Sequence, residues 1–270
     1  MLVAEQLQRG DLDEALAQVQ SQVRADPANA KHRILLFQIL SVLGQWDRAL
    51  NQLNVAGELD AGALAMVQTY REALQCEALR ADAFQGRRSP LIFGQPEQWM
   101  GLLLEALRLS GEGHDAEAQE VRDQAFEAAP ETPGTVDGKP FQWIADADMR
   151  LGPMLEAIVN GRYYWVPFFR IRKMQFDEPA DLRDSVWMPV YFTWSNQGEA
   201  AGLIPTRYAG SESSEDPLVR LARQTTWVER ESGLYVGLGQ RMLATDADDI
   251  ALMDARIIEL ETAEEPSDTG

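Results

Sequence analysis

The sequence predicts an α+β protein in which a helical half precedes a half with a mostly antiparallel sheet. Apolar residues at helical spacing fill residues 1–130, and aromatic and β-branched runs follow them. Residues 129–140, between the two patterns, hold three prolines and two glycines, which is typical of a boundary. We therefore predict a helical domain over 1–130, a linker over 131–140, an α+β domain over 141–260 and an acidic tail over 261–270.

The helical half contains a repeated motif. Gly10-Asp-Leu-Asp-Glu-Ala-Leu16 is echoed 34 residues later by Gly44-Gln-Trp-Asp-Arg-Ala-Leu50. This is the period of the tetratricopeptide (TPR) repeat, a helix-turn-helix unit that stacks on its neighbours and presents a groove. The glycine is expected to take a positive φ in the turn, and the alanine five residues later to lie where the helices touch. Gly113 and Ala118 repeat this spacing, so we predict a TPR-like half.

Helical periodicity gives the elements of this half, as the spacing of Ile34, Phe37 and Leu40 illustrates. Residues 86–96 hold two glycines and two further prolines and are predicted to form a loop. The predicted helices span 2–9, 11–25, 28–43, 45–58, 62–84, 96–110 and 114–129.

The second half alternates strand-like runs with turn residues. Ser195-Asn-Gln-Gly198 separates two such runs and predicts a hairpin. The predicted strands lie within 162–172, 186–194, 200–205 and 234–243. The predicted helices lie at about 149–160 and 216–224.

The composition limits the kind of partner and compartment. The formal net charge of −19 and the pI near 4.5 argue against nucleic acid and anionic membranes as partners. Cys76 is the single cysteine, so no internal disulfide can form, which fits a reducing compartment. Neither a secretion signal nor a membrane-spanning run of about 20 apolar residues is found. We expect a cytoplasmic protein.

Few residues fit a catalytic or metal site. The two histidines, His32 and His114, both fall in the helical half, which disfavours a histidine-based triad or metal site. Acidic clusters in the second half could hold a hard cation or act as an acid–base pair. Helix capping and ion pairs with nearby arginines would explain the same carboxylates equally well. We expect no catalytic residue, no cofactor and no metal. The second half contains three acidic clusters: Asp146 with Asp148; Asp177, Glu178, Asp181 and Asp184; and Asp246, Asp248 and Asp249.

The second half contains a series of short, distinctive segments. In chain order they are Phe141-Gln-Trp-Ile-Ala-Asp-Ala-Asp-Met-Arg-Leu-Gly-Pro153, Leu155-Glu-Ala-Ile-Val-Asn-Gly-Arg-Tyr-Tyr-Trp-Val-Pro167, Asp181-Leu-Arg-Asp184, Leu203-Ile-Pro-Thr-Arg-Tyr208, Leu221-Ala-Arg-Gln-Thr225 and Gly237-Leu-Gly-Gln-Arg241. This series resembles a known family, the ImpE/TagJ accessory proteins of type VI secretion. The resemblance extends over nearly the whole chain, and the order of the segments makes it specific.

The resemblance implies a non-enzymatic adaptor. Such a protein would bind the N-terminal helix of the small subunit of the contractile sheath, and would contact the AAA+ ATPase that disassembles the sheath. Two alternatives stay open: an assembly chaperone for sheath subunits, and a metal-dependent hydrolase that uses carboxylates such as Asp146 and Asp148.

The residues that would contact the partner depend on which half supplies the groove. If the TPR-like half does so, the repeat phase predicts contacts from Ile34, Gln38 and Ser41. If the aromatic half does so, Trp143 and Trp187 are candidates, although tryptophans at this density are also typical of a core.

Overall fold

The computed structural model describes residues 3–230 and 233–262, so most of the predicted acidic tail, residues 263–270, lies outside the described residues. In the first half, each helix packs on the next helix along the chain. The helices of this half are α1 (Val3–Arg9), α2 (Leu12–Ala25), α3 (Ala30–Val42), α4 (Trp46–Leu59), α5 (Leu64–Phe84), α6 (Gln98–Gly111) and α7 (Asp115–Ala128). None of the helices in the described ranges is both long and apolar enough to cross a membrane.

The repeated glycines and alanines have the predicted local roles. Gly10, Gly44 and Gly113 have φ values of 83°, 66° and 83°, in the region that glycine tolerates without strain. The alanines that follow them, Ala15, Ala49 and Ala118, are fully buried. The helical character of the half is thus confirmed, while its assignment to the TPR class stays a prediction.

The second half is built on a mostly antiparallel sheet. Within the described residues its strand order is β1-β6-β5-β9-β8-β7-β14-β2-β3, and the short β1 pairs with β6 in parallel. Two smaller sheets have the strand orders β10-β11 and β13-β12-β4. The strands are β1 (Leu91–Ile92), β2 (Gly134–Val136), β3 (Lys139–Phe141), β4 (Ile144–Asp146), β5 (Met154–Val159), β6 (Arg162–Pro167), β7 (Ile171–Gln175), β8 (Trp187–Trp194), β9 (Glu199–Pro205), β10 (Thr225–Glu229), β11 (Tyr235–Gly239), β12 (Met242–Thr245), β13 (Asp249–Ala251) and β14 (Ile257–Leu260).

Three predictions for the second half need correction. The helix predicted over 149–160 is wrong: Met154–Val159 is strand β5, buried along its whole length. A strand that is covered on both faces loses its alternating pattern, so its short apolar run resembles a helix segment. The helix predicted over 216–224 is shorter in the structure, where α8 spans Pro217–Arg220. The strand predicted over 234–243 is divided into β11 and β12.

The segment predicted as a linker, residues 131–140, is largely a β-hairpin. β2 and β3 pair in antiparallel register around a two-residue turn, Asp137-Gly138, and both turn residues have positive φ. An Asp-Gly pair is a strong hairpin signal that the proline content obscured. Through β2 the hairpin joins β14 in the large sheet.

The two halves share one apolar core. Tyr70 and Leu74 of α5 belong to the same buried cluster as Trp165 and Trp187 of the sheet. The ring of Trp187 lies 5.8 Å from that of Tyr70 and 6.0 Å from that of Trp46. A second cluster, which includes Phe192 and Ile258, involves side chains of the second half. The helices are therefore packed against the sheet rather than tethered to it.

Candidate functional site

A cleft of about 610 Å³ lies between the helices and the second half. Trp46, Arg80 and Phe84 line it from the helices, and Arg150 and Glu212 line it from the second half. A second open cavity, of about 590 Å³, lies between α4 and α5. Trp46 lines both cavities, and the two are together called the Trp46 groove. The second cavity is lined by Gly44, Gln45, Trp46, Asp47, Arg48, Leu50, Leu74, Gln75 and Ala78.

A buried ionic network lies next to this cleft, at the contact between the halves. Arg80 of α5 donates from Nε to Glu156 Oε1 at 2.6 Å and from Nη2 to Glu156 Oε2 at 3.0 Å. Arg241 bridges Glu156 and Asp146, and its own side chain and both carboxylates are fully buried. The Tyr163 hydroxyl also donates to Glu156 Oε1, at 2.6 Å. Glu156 of β5 thus links the helical half to the sheet.

The carboxylates that could have formed a metal or acid–base site are engaged inside the protein. Asp148 accepts from Arg150 Nε at 2.9 Å and Nη2 at 2.6 Å, and from the backbone N–H of Gly237 at 3.0 Å. Asp146 accepts from Arg241 and from the backbone N–H of Asp148. The predicted explanation by internal ion pairs is confirmed for these two residues. In the described residues no cluster of His, Cys, Asp and Glu has the arrangement of a metal site.

The other two acidic groups also have structural contacts. Asp184 accepts from the backbone N–H groups of Ala180 and Asp181, at 2.9 and 2.8 Å, and fixes the turn before β8. Asp246 accepts from the backbone N–H of Gln142 at 2.6 Å. The Asp184 contacts are local, whereas the Asp246 contact joins two distant segments of the second half.

Burial raises the pKa values of the network carboxylates Asp146 and Glu156, and the nearby arginines lower them. Burial raises the pKa of Asp146 to about 7, and the neighbouring Asp148 adds to this effect against the attraction of Arg241. Burial alone would also raise the pKa of Glu156, but Arg80 and Arg241 outweigh it and lower that pKa to about 2. Glu156 is therefore the carboxylate whose ionised form the fold stabilises.

The Glu156 contacts predict an acid-sensitive contribution to stability. Since its folded-state pKa lies below the ordinary value, this contribution is present above pH 4.5 and is lost as the pH falls toward 2. We expect the drop in the free energy of unfolding from pH 6 to pH 3 to be smaller in Glu156→Gln than in wild type by about 2 kcal/mol. Urea unfolding at both pH values measures this difference, and equal drops would contradict the assignment.

The structure places the predicted partner-binding residues in two different environments. Gln38, Ser41 and Trp187 are 6%, 0% and 0% exposed. The turn Leu182–Ser185 packs on α3, and the rings of Tyr70 and Trp46 pack on Trp187. Burial therefore disfavours these three residues as partner contacts. Ile34 and Trp143 are half-buried, so their role stays a prediction.

Two of these buried residues, Ser41 and Trp187, connect the two halves. The carbonyl oxygen of Ser41 accepts from Arg207 Nη2 at 2.9 Å, and the carbonyl oxygen of Val42 accepts from Arg207 Nη1 at 2.7 Å. The Trp187 indole N–H donates to Glu77 Oε1 at 2.8 Å. Sequence reasoning missed Glu77, since neither its helical position nor its spacing points to a partner 110 residues away.

Comparisons with known proteins agree with this architecture. The ImpE protein family model matches residues 138–259. The type VI secretion system accessory component TagJ of Pseudomonas aeruginosa is 52% identical over 261 residues, which cover 97% of this chain and 92% of the relative. The crystal structure of protein VPA1032 from Vibrio parahaemolyticus matches with a TM-score of 0.85 over 97% of this chain and 98% of that chain. At 23% identity that structure shows a shared fold.

The fold and these relatives define an accessory component of type VI secretion, made of packed helices and an antiparallel sheet with a groove between them. The high identity over almost the full chain then decides the family. The chain belongs to the ImpE/TagJ family.

Proposed function

We propose that this protein is a non-enzymatic adaptor that binds the N-terminal helix of the small sheath subunit of the type VI machine. The observation that carries the proposal is the open Trp46 groove in a member of an accessory-component family. Helices commonly bind in a groove between helices through spaced apolar anchors. The groove offers such anchors in Trp46 and Leu50, which are both half-buried.

The absence of catalysis is part of this proposal. The carboxylates closest to a catalytic arrangement, Asp146 and Asp148, are buried and bonded to Arg241 and Arg150. A general acid or base needs contact with its substrate, and these side chains have 0% exposure. This favours an adaptor over a carboxylate-based hydrolase.

Three further features belong to the proposal. The helical half acts as a TPR-like stack, supported by the glycine turns and buried alanines of the repeat. The adaptor works in the cytoplasm, where the sheath subunits are available. It also brings the AAA+ disassembly ATPase to the sheath, a step that rests on the family resemblance.

A peptide with the sequence of the sheath subunit's N-terminal helix is expected to bind the full-length protein with a Kd of about micromolar order, because ordering the helix offsets part of the contact energy. Calorimetry or fluorescence anisotropy measures this, with a scrambled peptide as control. Equal binding of the two peptides would contradict the proposal.

The net charge of −19 should also steer basic segments of a partner toward the protein, so the association rate should fall as the salt concentration rises.

A further inference from the structure

β10 is an edge strand whose outer side is not paired with another strand of the described residues. It forms an antiparallel ribbon with β11 that joins neither of the other two sheets. The register runs without a shift along all of β10. Trp227 and Val228, in its middle, are 42% and 41% exposed. β10 therefore presents an open side to the solvent.

The hydrogen bonds of the ribbon show which backbone groups of β10 point outward. The N–H of Arg230, just after β10, donates to the carbonyl oxygen of Leu234 at 2.8 Å. Bonded and non-bonded pairs alternate along an antiparallel ribbon. The N–H and C=O groups of Thr225, Trp227 and Glu229 therefore point away from β11. In the described part of the chain, these groups donate to and accept from no other segment.

The opposite edge of the ribbon is bonded to the chain itself. The N–H of Gly237 in β11 donates to Asp148 Oδ2 at 3.0 Å, and the N–H of Gly239 donates to Ser211 Oγ at 2.8 Å. The ribbon is thus held to the body of the protein through β11. The row of outward groups on β10 remains for a chain from outside.

The sequence of β10 lacks the features that usually keep edge strands apart, which are proline, lysine and bulges. Thr225-Thr-Trp-Val-Glu229 contains neither proline nor lysine, and its register is regular. In contrast β3, at the edge of the large sheet, contains Lys139 and Pro140. A row of free backbone groups selects an extended strand over a helix, because the N–H and C=O groups of a helix are bonded within it.

A second copy of β10 is such a strand, and it complements the first in antiparallel register about Trp227. In this register Trp227 lies opposite the same residue of the second copy. Thr226 lies opposite Val228, and Thr225 opposite Glu229, so an aromatic pair is central and no like charges face each other. The outward N–H and C=O groups of the two copies then face one another.

Two charges near the ends of β10 favour the same register. Arg223 and Glu229 are exposed and have no ion-pair partner in residues 3–230 and 233–262; Arg223 bonds to two carbonyl oxygens near the end of α1. With Trp227 at the centre, Glu229 of one copy lies diagonal to Arg223 of the other. The diagonal distance in a sheet is about 7–8 Å, within reach of long side chains. An exposed pair contributes little affinity but selects register.

The local charge also permits two copies of this acidic chain to meet at β10. Residues 223–230 hold two arginines and one glutamate, while the whole chain has a net charge of −19. The segment therefore does not add to the repulsion between two acidic proteins.

We propose that two copies of this protein associate through β10, with a two-fold axis at Trp227 and a four-stranded sheet β11-β10-β10-β11 across it. β10 is already extended in each copy, so pairing requires little ordering. The contact is small, and we expect a weak, concentration-dependent dimer. The inference is independent of the proposed function, because no residue of β10 lines the Trp46 groove.

Trp227→Lys should raise the Kd of the dimer more than about tenfold, because it places two like charges opposite each other at the centre of the contact. Analytical ultracentrifugation of the full-length protein measures this, with circular dichroism to verify folding. The matched control is Tyr191→Lys: Tyr191 is 59% exposed on β8, which has β7 and β9 on its two sides. The control should dimerise as wild type does. A wild type that stays monomeric up to about 1 mM, or equal Kd values for wild type and Trp227→Lys, would overturn the proposal.

Disulfide formation tests the register and decides the question if Trp227→Lys does not fold. In the proposed dimer Thr226 and Val228 form a non-bonded pair with Cα atoms about 4.5 Å apart, which suits a disulfide. A mixture of Thr226→Cys and Val228→Cys should therefore form disulfide dimers faster than either variant alone, and the native Cys76 is buried. Equally fast formation by Val228→Cys alone would overturn the register about Trp227. If the mixture and the single variants form none, the dimer itself is wrong.

Discussion

Replacing Arg241 by alanine is expected to destabilise the protein by about 3–5 kcal/mol, the usual result of removing one partner from a buried ionic contact. Arg241 is fully buried, bridges Asp146 and Glu156, and donates from Nε to the carbonyl oxygen of Pro205 at 2.9 Å. Its loss leaves two carboxylates inside the fold with less compensating charge. The free energy of unfolding in urea measures the effect.

A surface arginine with the same number of carboxylate partners provides the control. Arg108 pairs with Glu105 and Glu112, but its side chain is 45% exposed. Arg108→Ala should leave the unfolding midpoint close to that of wild type, because exposed ion pairs contribute little. Arg241→Lys keeps the positive charge but cannot bond both carboxylates in the same geometry. Its free energy of unfolding should therefore lie between those of wild type and Arg241→Ala. Equal losses in the free energy of unfolding for Arg241→Ala and Arg108→Ala would contradict a stabilising role of the buried network.

Replacing Trp187 by alanine should lower the free energy of unfolding by a similar amount, about 3–5 kcal/mol, because it opens a large cavity in the core shared by the two halves. Trp187 is fully buried against Tyr70 and Trp46. The conservative change Trp187→Phe should cost about 1–3 kcal/mol, since it leaves the buried carboxylate of Glu77 without the indole donor.

The way in which Trp187→Ala unfolds also reports on the relation of the two halves. Because its contacts cross from β8 to the helices, the helical signal and the tryptophan fluorescence should shift together to lower urea concentration. Trp227→Ala, at a tryptophan that is 42% exposed, is the control and should shift the transition much less. A helical transition that stays in place while the fluorescence transition shifts would show that the halves unfold independently.

Local patterns predict most of the helical half because the repeat and its turn glycines mark where helices begin and end. The turns at Gly10 and Gly44 and the buried Ala15 and Ala49 follow directly from the repeat. The same reasoning fails at β5, where burial on both faces removes the alternation that identifies a strand. A short strand that is covered on both faces is thus the element that the apolar pattern alone does not identify.

The contacts of the candidate site could not be predicted from the sequence because their partners lie far apart along the chain. Arg80 lies 76 residues from Glu156, and Asp146 lies 95 residues from Arg241. Sheet register and helix packing decide these pairings, and neither is encoded in short-range spacing. The repeat phase identified Gln38 and Ser41 as groove residues, but it could not show that the second half covers their face.

The most direct test of helix binding in the Trp46 groove is photo-crosslinking from single positions on α5. A photoreactive amino acid at Ala78, in the groove, is compared with one at Ala65, exposed on the same helix, after addition of the sheath-subunit peptide. The account predicts a crosslink to the peptide from position 78, removed by excess unlabelled peptide, and none from position 65. Equal crosslinking from both positions, or none from position 78 at a peptide concentration that saturates binding, would contradict it.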